Sequence, residues 1–156
     1  MDNREEFVIN LMTLEELESI KDILVDDYDE FWSESVLKSE IENPNAKFFS
    51  LKKNNEIVGF GGYIITPQDI QITNIVIKKN HRNKGYGDYF FKEILKNAES
   101  DLKQIDINPK SISLEVNSAN SSAISLYIKN GFEKIGVRKR YYNNTFDAII
   151  MTKNLT

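Results

Sequence analysis

The chain has 156 residues, no cysteine, one histidine and a formal net charge of −4. The absence of cysteine excludes disulfides, thiolate nucleophiles and cysteine-ligated metals, and the single histidine argues against a Ser-His-Asp triad or a histidine-based zinc site. The net charge gives no overall basic field for nucleic acid, and no apolar run approaches the length of a membrane span. We therefore expect one domain over residues 1–156, with no metal, nucleic acid or membrane as partner and, by default, a cytoplasmic location.

Hydrophobic periodicity predicts strands and helices along the whole chain. Seven predicted strands lie at residues 7–11, 47–52, 57–65, 70–77, 111–116, 134–142 and 146–152. Predicted helices begin at Thr13 with a T-x-x-E capping box, at Ser33, after Gly87 and at Asn120. Three glycines inside the third strand, Gly59, Gly61 and Gly62, indicate a bulge or the close approach of another backbone. The order β-α-α-β-β-β-α-β-α-β-β predicts an α/β fold with one mixed sheet and helices on both faces.

The segment from Ile70 to Ser100 combines a buried strand, a basic loop with glycines and an amphipathic helix. This arrangement aims the unpaired N–H groups and the positive dipole end of the helix at the loop, where an anion can bind. Gly85 and Gly87 let a ligand approach the backbone, and four cations are close in sequence: Lys78, Lys79, Arg82 and Lys84. The P-loop pattern and the third glycine of a dinucleotide fingerprint are missing. The segment predicts a site for a polyphosphate-bearing cofactor; the alternative is a tight strand-to-helix turn.

Arg82 to Gly87 forms the pattern R-x-x-G-x-G directly after a strand, and this pattern resembles the acetyl-CoA-binding signature of the GNAT acetyltransferases. Downstream, the run LEVNSANSSAISLYIKNGFEKIGVRKRYYNNTFDAIIM resembles the C-terminal half of bacterial ribosomal-protein-alanine N-acetyltransferases, the RimI-like branch of that family. Upstream, FWS at residues 31–33 and NIVI at residues 74–77 also match that branch. The resemblance covers nearly the whole chain in the right order and is weakest before Phe31.

The resemblance implies a single GNAT domain that transfers an acetyl group from acetyl-CoA to an amine. It assigns cofactor binding to Ile75, Val76, Ile77, Arg82, Asn83, Lys84, Gly85, Tyr86, Gly87 and Asn120. It assigns the general base to Glu115 and the general acid to Tyr127, twelve residues later. A strand amide beside the loop would polarise the thioester carbonyl. One departure is Asp88, whose carboxylate predicts weakened cofactor affinity unless it points away from the pyrophosphate.

Each of these side chains also has a purely structural explanation. Glu115 fits the solvated face of an alternating strand, Tyr127 fits an apolar helical stripe, and Asn120 fits a helix N-cap. A phenol with a pKa of about 10 is a weaker acid than a thiol with a pKa of about 8.5, so full proton transfer runs uphill by about 2 kcal/mol. Tyr127 is therefore expected either to protonate the leaving sulfur or only to hydrogen-bond it.

The chemistry of the acceptor amine separates the substrate classes. An α-amino group is about 30 per cent neutral at physiological pH, whereas a lysine is about 0.1 per cent neutral, a difference of about 3.5 kcal/mol. A single glutamate as base suits the α-amine, and the resemblance points to the N-terminus of a ribosomal protein as the acceptor. Trp32 and Tyr141 are the candidate substrate-binding residues. We expect the protein to be a monomer or a weak dimer. Two alternatives stay open: an acetyltransferase for small amines or lysines, and a non-catalytic acyl-CoA-binding module.

Overall fold

A computed structural model describes residues 7–28, 33–73, 75–106, 110–142 and 146–155, with the side chains of residues 140–142 excluded. It contains eight strands: β1 (Phe7–Leu11), β2 (Ala46–Lys53), β3 (Glu56–Ile65), β4 (Ile70–Ile72), β5 (Val76–Ile77), β6 (Lys110–Asn117), β7 (Glu133–Tyr142) and β8 (Phe146–Leu155). Its α-helices are α1 (Leu14–Ile20), α2 (Glu34–Glu42), α3 (Tyr86–Lys103) and α4 (Ser121–Lys129). Parallel and antiparallel pairs both occur, which confirms the predicted α/β fold with a mixed sheet.

The chain divides into two compact units, Met1–Tyr63 with Ile75–Ile94, and Ile64–Asn74 with Leu95–Thr156. The prediction that one domain covers residues 1–156 stays a prediction. Within the described residues, no helix is long and apolar enough to cross a membrane.

In the first unit, β1 pairs antiparallel with β2, β2 lies beside β3, and β5 pairs antiparallel with β3. Helix α1 begins where predicted, because the Thr13 hydroxyl accepts the Glu16 amide at 3.1 Å and the Glu16 carboxylate accepts the Thr13 amide at 3.0 Å. The chain then tightens into a 3-10 turn over Lys21–Ile23 and widens into a π-helical turn over Leu24–Tyr28. The core of this unit includes Leu17, Ile20, Leu24, Tyr28, Leu37, Phe48 and Phe60.

The predicted single strand over residues 70–77 is wrong. Ile70 pairs in parallel with Ile112 of β6, whereas Val76 pairs antiparallel with Phe60 of β3, so the chain changes partners between β4 and β5. The β-branched apolar residues before and after Thr73 and Asn74 predict one strand, because both short strands are buried and periodicity does not identify the partner strand.

The glycines of β3 make room for the neighbouring backbones, as predicted. A Cβ atom on Gly59 would lie 2.8 Å from the Val76 carbonyl oxygen, and one on Gly61 would lie 2.7 Å from Cγ1 of Ile75. A Cβ atom on Gly62 would collide with the carbonyl oxygen of Lys47 on β2. The glycines therefore allow the segment before the basic loop to lie directly against β3.

In the second unit the strand order is β4-β6-β8-β7, with only the β4–β6 pair parallel. Ile112, Leu114 and Val116 of β6 are buried and alternate with partly exposed residues, as the sequence predicted. Helix α4 begins at the predicted cap, where the Asn120 side chain accepts the Ala123 amide at 3.2 Å.

Candidate active site

The loop between β5 and α3 leaves the first backbone N–H groups of α3 available to bind an anion. Asn83 and Gly85 have positive φ values of 63° and 83°, a backbone shape that turns successive N–H groups toward one side. The Tyr89 amide donates to the Gly85 carbonyl at 3.2 Å, so the amides of Tyr86 and Gly87 precede the first hydrogen bond within the helix. These are the groups that, with the helix dipole, bind phosphate in proteins.

The space around Gly85 is open, whereas Gly87 lies beside another side chain. A Cβ atom on Gly85 would have no described atom within 4 Å and would require a residue with a left-handed φ. A Cβ atom on Gly87 would touch Cγ1 of Ile77 at 3.7 Å, an ordinary packing distance. Glycine at 85 is thus required by the backbone conformation, and its missing side chain leaves the surface beside the loop amides uncovered.

Two of the four loop cations, Lys78 and Arg82, make contacts within the protein. Arg82 donates from Nε to the Ile77 carbonyl at 2.8 Å and from Nη2 to the Tyr28 carbonyl at 2.6 Å. Lys78 binds the Glu56 carboxylate at 3.0 Å, and this hydrogen bond lowers the pKa of Glu56. Lys79 and Lys84 are exposed. The side chain of Arg82 therefore fixes the shape of the loop.

Tyr28, whose backbone carbonyl accepts the hydrogen bond from Arg82, is a core residue. Only 1 per cent of Tyr28 is exposed, and its hydroxyl donates to the Ile57 carbonyl at 2.6 Å. Burial raises the pKa of its phenol well above the ordinary value, so Tyr28 stays a neutral hydrogen-bond donor. The sequence offered no signal for the Arg82–Tyr28 contact, which joins residues 54 positions apart.

Tyr86 and Asp88 each contact another side chain of the protein. The Tyr86 hydroxyl accepts a hydrogen bond from Lys53 at 2.8 Å, and its ring meets the ring of Phe7 edge-on at 4.9 Å. The Asp88 carboxylate binds Lys92 at 3.0 Å, one turn along α3, so its charge is partly offset within the helix. The effect of Asp88 on cofactor affinity stays a prediction.

Glu115 lies near the carboxyl end of β6, on its partly exposed face. Its side chain is 30 per cent exposed, and Oε1 accepts a hydrogen bond from Nη2 of Arg138 on β7 at 2.7 Å. Sequence reasoning missed Arg138. The sequence held no local signal for this contact, because β8 lies between the strands of Glu115 and Arg138 and the contact depends on the register of all three strands.

Tyr127 and Asn120 lie on α4, in the same unit as Glu115. Tyr127 is 8 per cent exposed, with its ring centroid 6.2 Å from that of Phe132. The Oδ1 atom of Asn120 caps the helix and also accepts the Ser122 hydroxyl at 3.2 Å, which leaves Nδ2 as the donor that the cap does not use. The structural explanations for both residues therefore hold in part, and their catalytic and cofactor roles stay predictions.

Of the predicted substrate-binding residues, Trp32 lies outside the described residues, and Tyr141 lies in β7 with only its backbone described. Among the described residues, no group of three or more histidine, aspartate or glutamate side chains could hold a metal ion. The expectation of a metal-free site stays a prediction.

Several known proteins are similar to this chain in sequence. The pattern of the Acetyltransferase (GNAT) family matches residues 17–132. A protein of Bacillus subtilis, provisionally named a ribosomal protein bS18-alanine N-acetyltransferase, is 33% identical over 143 residues, covering 90% of each chain. The ribosomal protein bS18-alanine N-acetyltransferase of Escherichia coli K12 is 27% identical over 125 residues, covering 77% of this chain and 78% of its own.

A solved structure agrees with the fold over almost the full length. The crystal structure of the ribosomal-protein-S18-alanine N-acetyltransferase from Escherichia coli superposes with a TM-score of 0.81 at 23% identity, covering 96% of this chain and 94% of that one. The family pattern alone spans well over half of the chain, and the Bacillus subtilis relative adds similarity along nearly all of it. The chain belongs to the acetyltransferase (GNAT) family and is an N-acetyltransferase.

Proposed function

We propose that this protein transfers the acetyl group of acetyl-CoA to the N-terminal α-amine of a protein, with a ribosomal protein that begins with alanine as the expected substrate. The observation that carries the proposal is the 33% identity, over 90% of both chains, to a relative named for that activity. Such a substrate is made in the cytoplasm, which is where we expect the enzyme to act. Its state as a monomer or weak dimer stays a prediction.

The cofactor would bind through backbone groups of the loop between β5 and α3. The left-handed turns at Asn83 and Gly85 and the first amides of α3 suit a pyrophosphate. An amide of the Ile75–Ile77 segment would donate to the thioester oxygen, where negative charge develops. On α4, Nδ2 of Asn120 would contact the pantetheine arm. No step of this binding requires the side chain of Arg82, which already serves two carbonyl groups.

The transfer itself would proceed by direct attack. The neutral amine nitrogen attacks the thioester carbonyl carbon, and the proton that nitrogen loses passes to Glu115, directly or through one water. The carbon–sulfur bond then breaks, and the CoA sulfur takes a proton either from the Tyr127 hydroxyl or, if that hydroxyl only hydrogen-bonds the sulfur, from solvent. Exchange with solvent returns both side chains to their starting states. The products are the acetylated amine and free CoA thiol.

A single carboxylate suits an α-amine better than a lysine. Because the α-amine is about 30 per cent neutral near pH 7.4, the base only has to remove the proton released during attack. Deprotonating a lysine costs about 3.5 kcal/mol more than deprotonating an α-amine, and recovering this cost requires a desolvated site or a stronger base. Glu115 is partly exposed, so its surroundings are not the desolvated site that a lysine would need.

The experiment measures thiol release from acetyl-CoA with two peptides of the same sequence. One peptide begins with a free alanine, and the other is blocked at its N-terminus and carries an internal lysine. We expect release with the free-amine peptide only. Release with the lysine peptide alone would contradict the proposal. No release with either, while CoA binds, would also contradict it and would favour a small amine as acceptor or the non-catalytic module.

A further inference from the structure

Arg138 reaches Glu115 across an intervening strand. Glu115 on β6 pairs with Ile150 on β8, which pairs with Gly136 on β7, so Arg138 lies two residues along β7 from the row of Glu115. Residues two apart on a strand share a face. Because neighbouring strands are about 4.8 Å apart, the two backbones are separated by about 10 Å sideways, a gap that only a long side chain can span.

Ala148, on the strand between the two charged groups, has a small side chain. It is the β8 partner of Arg138, it is fully buried, and its single methyl group leaves room for a long side chain above it. Arg138 donates from Nη2 to Oε1 of Glu115 at 2.7 Å, and about half of the arginine side chain remains exposed. Oε1 of the carboxylate is therefore held, and Oε2 has no hydrogen-bond partner among the described residues.

We propose that Arg138 is a positioning residue that holds the Glu115 carboxylate with Oε2 directed at the acceptor amine. The proposal rests on the proposed function, in which Glu115 is the base. Arg138 does not itself carry the proton, because a guanidinium group stays protonated throughout the physiological range. Its contribution is to restrict the rotamers of Glu115, so that the carboxylate meets the attacking nitrogen in one geometry.

An exposed ion pair of this kind contributes little to folding, so its loss should be visible in turnover rather than in stability. This distinguishes a positioning role from a structural one. Lys139 provides a matched control, because it is the next residue on the same strand, is 81 per cent exposed, and lies 3.5 Å from the Asp147 carboxylate.

The test is a double-mutant cycle with Arg138→Gln, Glu115→Gln and the pair, plus Arg138→Lys and the control Lys139→Gln. For each variant, kcat and the KM for acetyl-CoA are measured with the alanine peptide, and the urea midpoint is recorded. We expect Arg138→Gln to lower kcat about 10-fold with KM for acetyl-CoA unchanged. Arg138→Lys should recover most of this loss, Lys139→Gln should keep wild-type kcat, and Arg138→Gln should have no further effect once Glu115 is Gln.

Three results would overturn the inference alone: wild-type kcat in Arg138→Gln, an equal fall of kcat in Lys139→Gln, or the same fall when Arg138→Gln is added to Glu115→Gln. A different set of results would contradict the proposed function itself. These are a wild-type protein that acetylates no peptide N-terminus, or full turnover by Glu115→Gln, and either would remove the basis for a positioning role as well.

Discussion

Replacing Gly85 by alanine should separate the cofactor role of the loop from its folding role. Gly85 has a φ of 83°, and a left-handed backbone costs an L-residue about 1–2 kcal/mol. Alanine recovers about 0.4–1 kcal/mol by restricting the unfolded chain. The net loss of unfolding free energy is therefore about 1 kcal/mol, or about 3 °C in Tm for a chain of this size.

The effect on cofactor binding should be larger than this strain explains. The new methyl group would project into space that no described atom fills within 4 Å, beside the amides that we expect to hold the pyrophosphate. Separating an anion from even one of these amides should raise the Kd for CoA at least about 10-fold, equivalent to about 1.4 kcal/mol. The assays are isothermal titration with CoA and thermal unfolding of the free protein.

Gly131→Ala is the matched control. Gly131 follows α4 with a φ of 96°, and a Cβ atom there would meet only the flexible end of Lys153, at 3.2 Å. It should lose a similar amount of stability and keep its Kd for CoA. If Gly85→Ala bound CoA as tightly as the wild type, or if both variants lost affinity equally, the loop would not be the pyrophosphate site.

Three further predictions follow from the same contacts. Glu115→Gln should lower kcat by about 10²–10³ with the Kd for CoA nearly unchanged, and a joint loss of both would make Glu115 structural. Gly62→Ala should destabilise the protein by about 3 kcal/mol or more in urea unfolding, because its Cβ would strike the Lys47 carbonyl; wild-type stability would refute that packing. Burial raises the pKa of Glu40 above the ordinary glutamate value of 4.5. The free energy of unfolding should therefore fall as the pH rises above 4.5. Glu40→Gln should abolish that fall when urea midpoints are compared across pH.

Local signals in the sequence predicted the local structure well. The T-x-x-E pattern placed the start of α1 at Thr13, and Asn120 was correctly predicted as the cap of α4. These devices need only residues a few positions apart, so the sequence contains everything required to recognise them. The glycines of β3 were also informative. Glycine inside a strand often marks the close approach of another backbone, and the structure shows such an approach at these positions.

Contacts between distant parts of the chain could not be predicted in the same way. The charges of the basic loop were expected to bind phosphate, but Lys78 binds Glu56 and Arg82 binds the Tyr28 carbonyl. A count of cations does not reveal which of them the fold already uses. The ion pair of Glu115 with Arg138 has the same origin, since it depends on the register of three strands.

A competition between two amines of one peptide tests whether the acceptor is a protein α-amine. A single peptide with a free N-terminal alanine and an internal lysine is incubated with the enzyme, acetyl-CoA and a polyamine, and fragmentation in a mass spectrometer locates any acetyl group on the peptide. We expect acetylation of the alanine nitrogen, dependent on Glu115, with the lysine unmodified. Acetyl found on the lysine, or on neither amine while the polyamine in the same mixture is acetylated, would contradict this expectation.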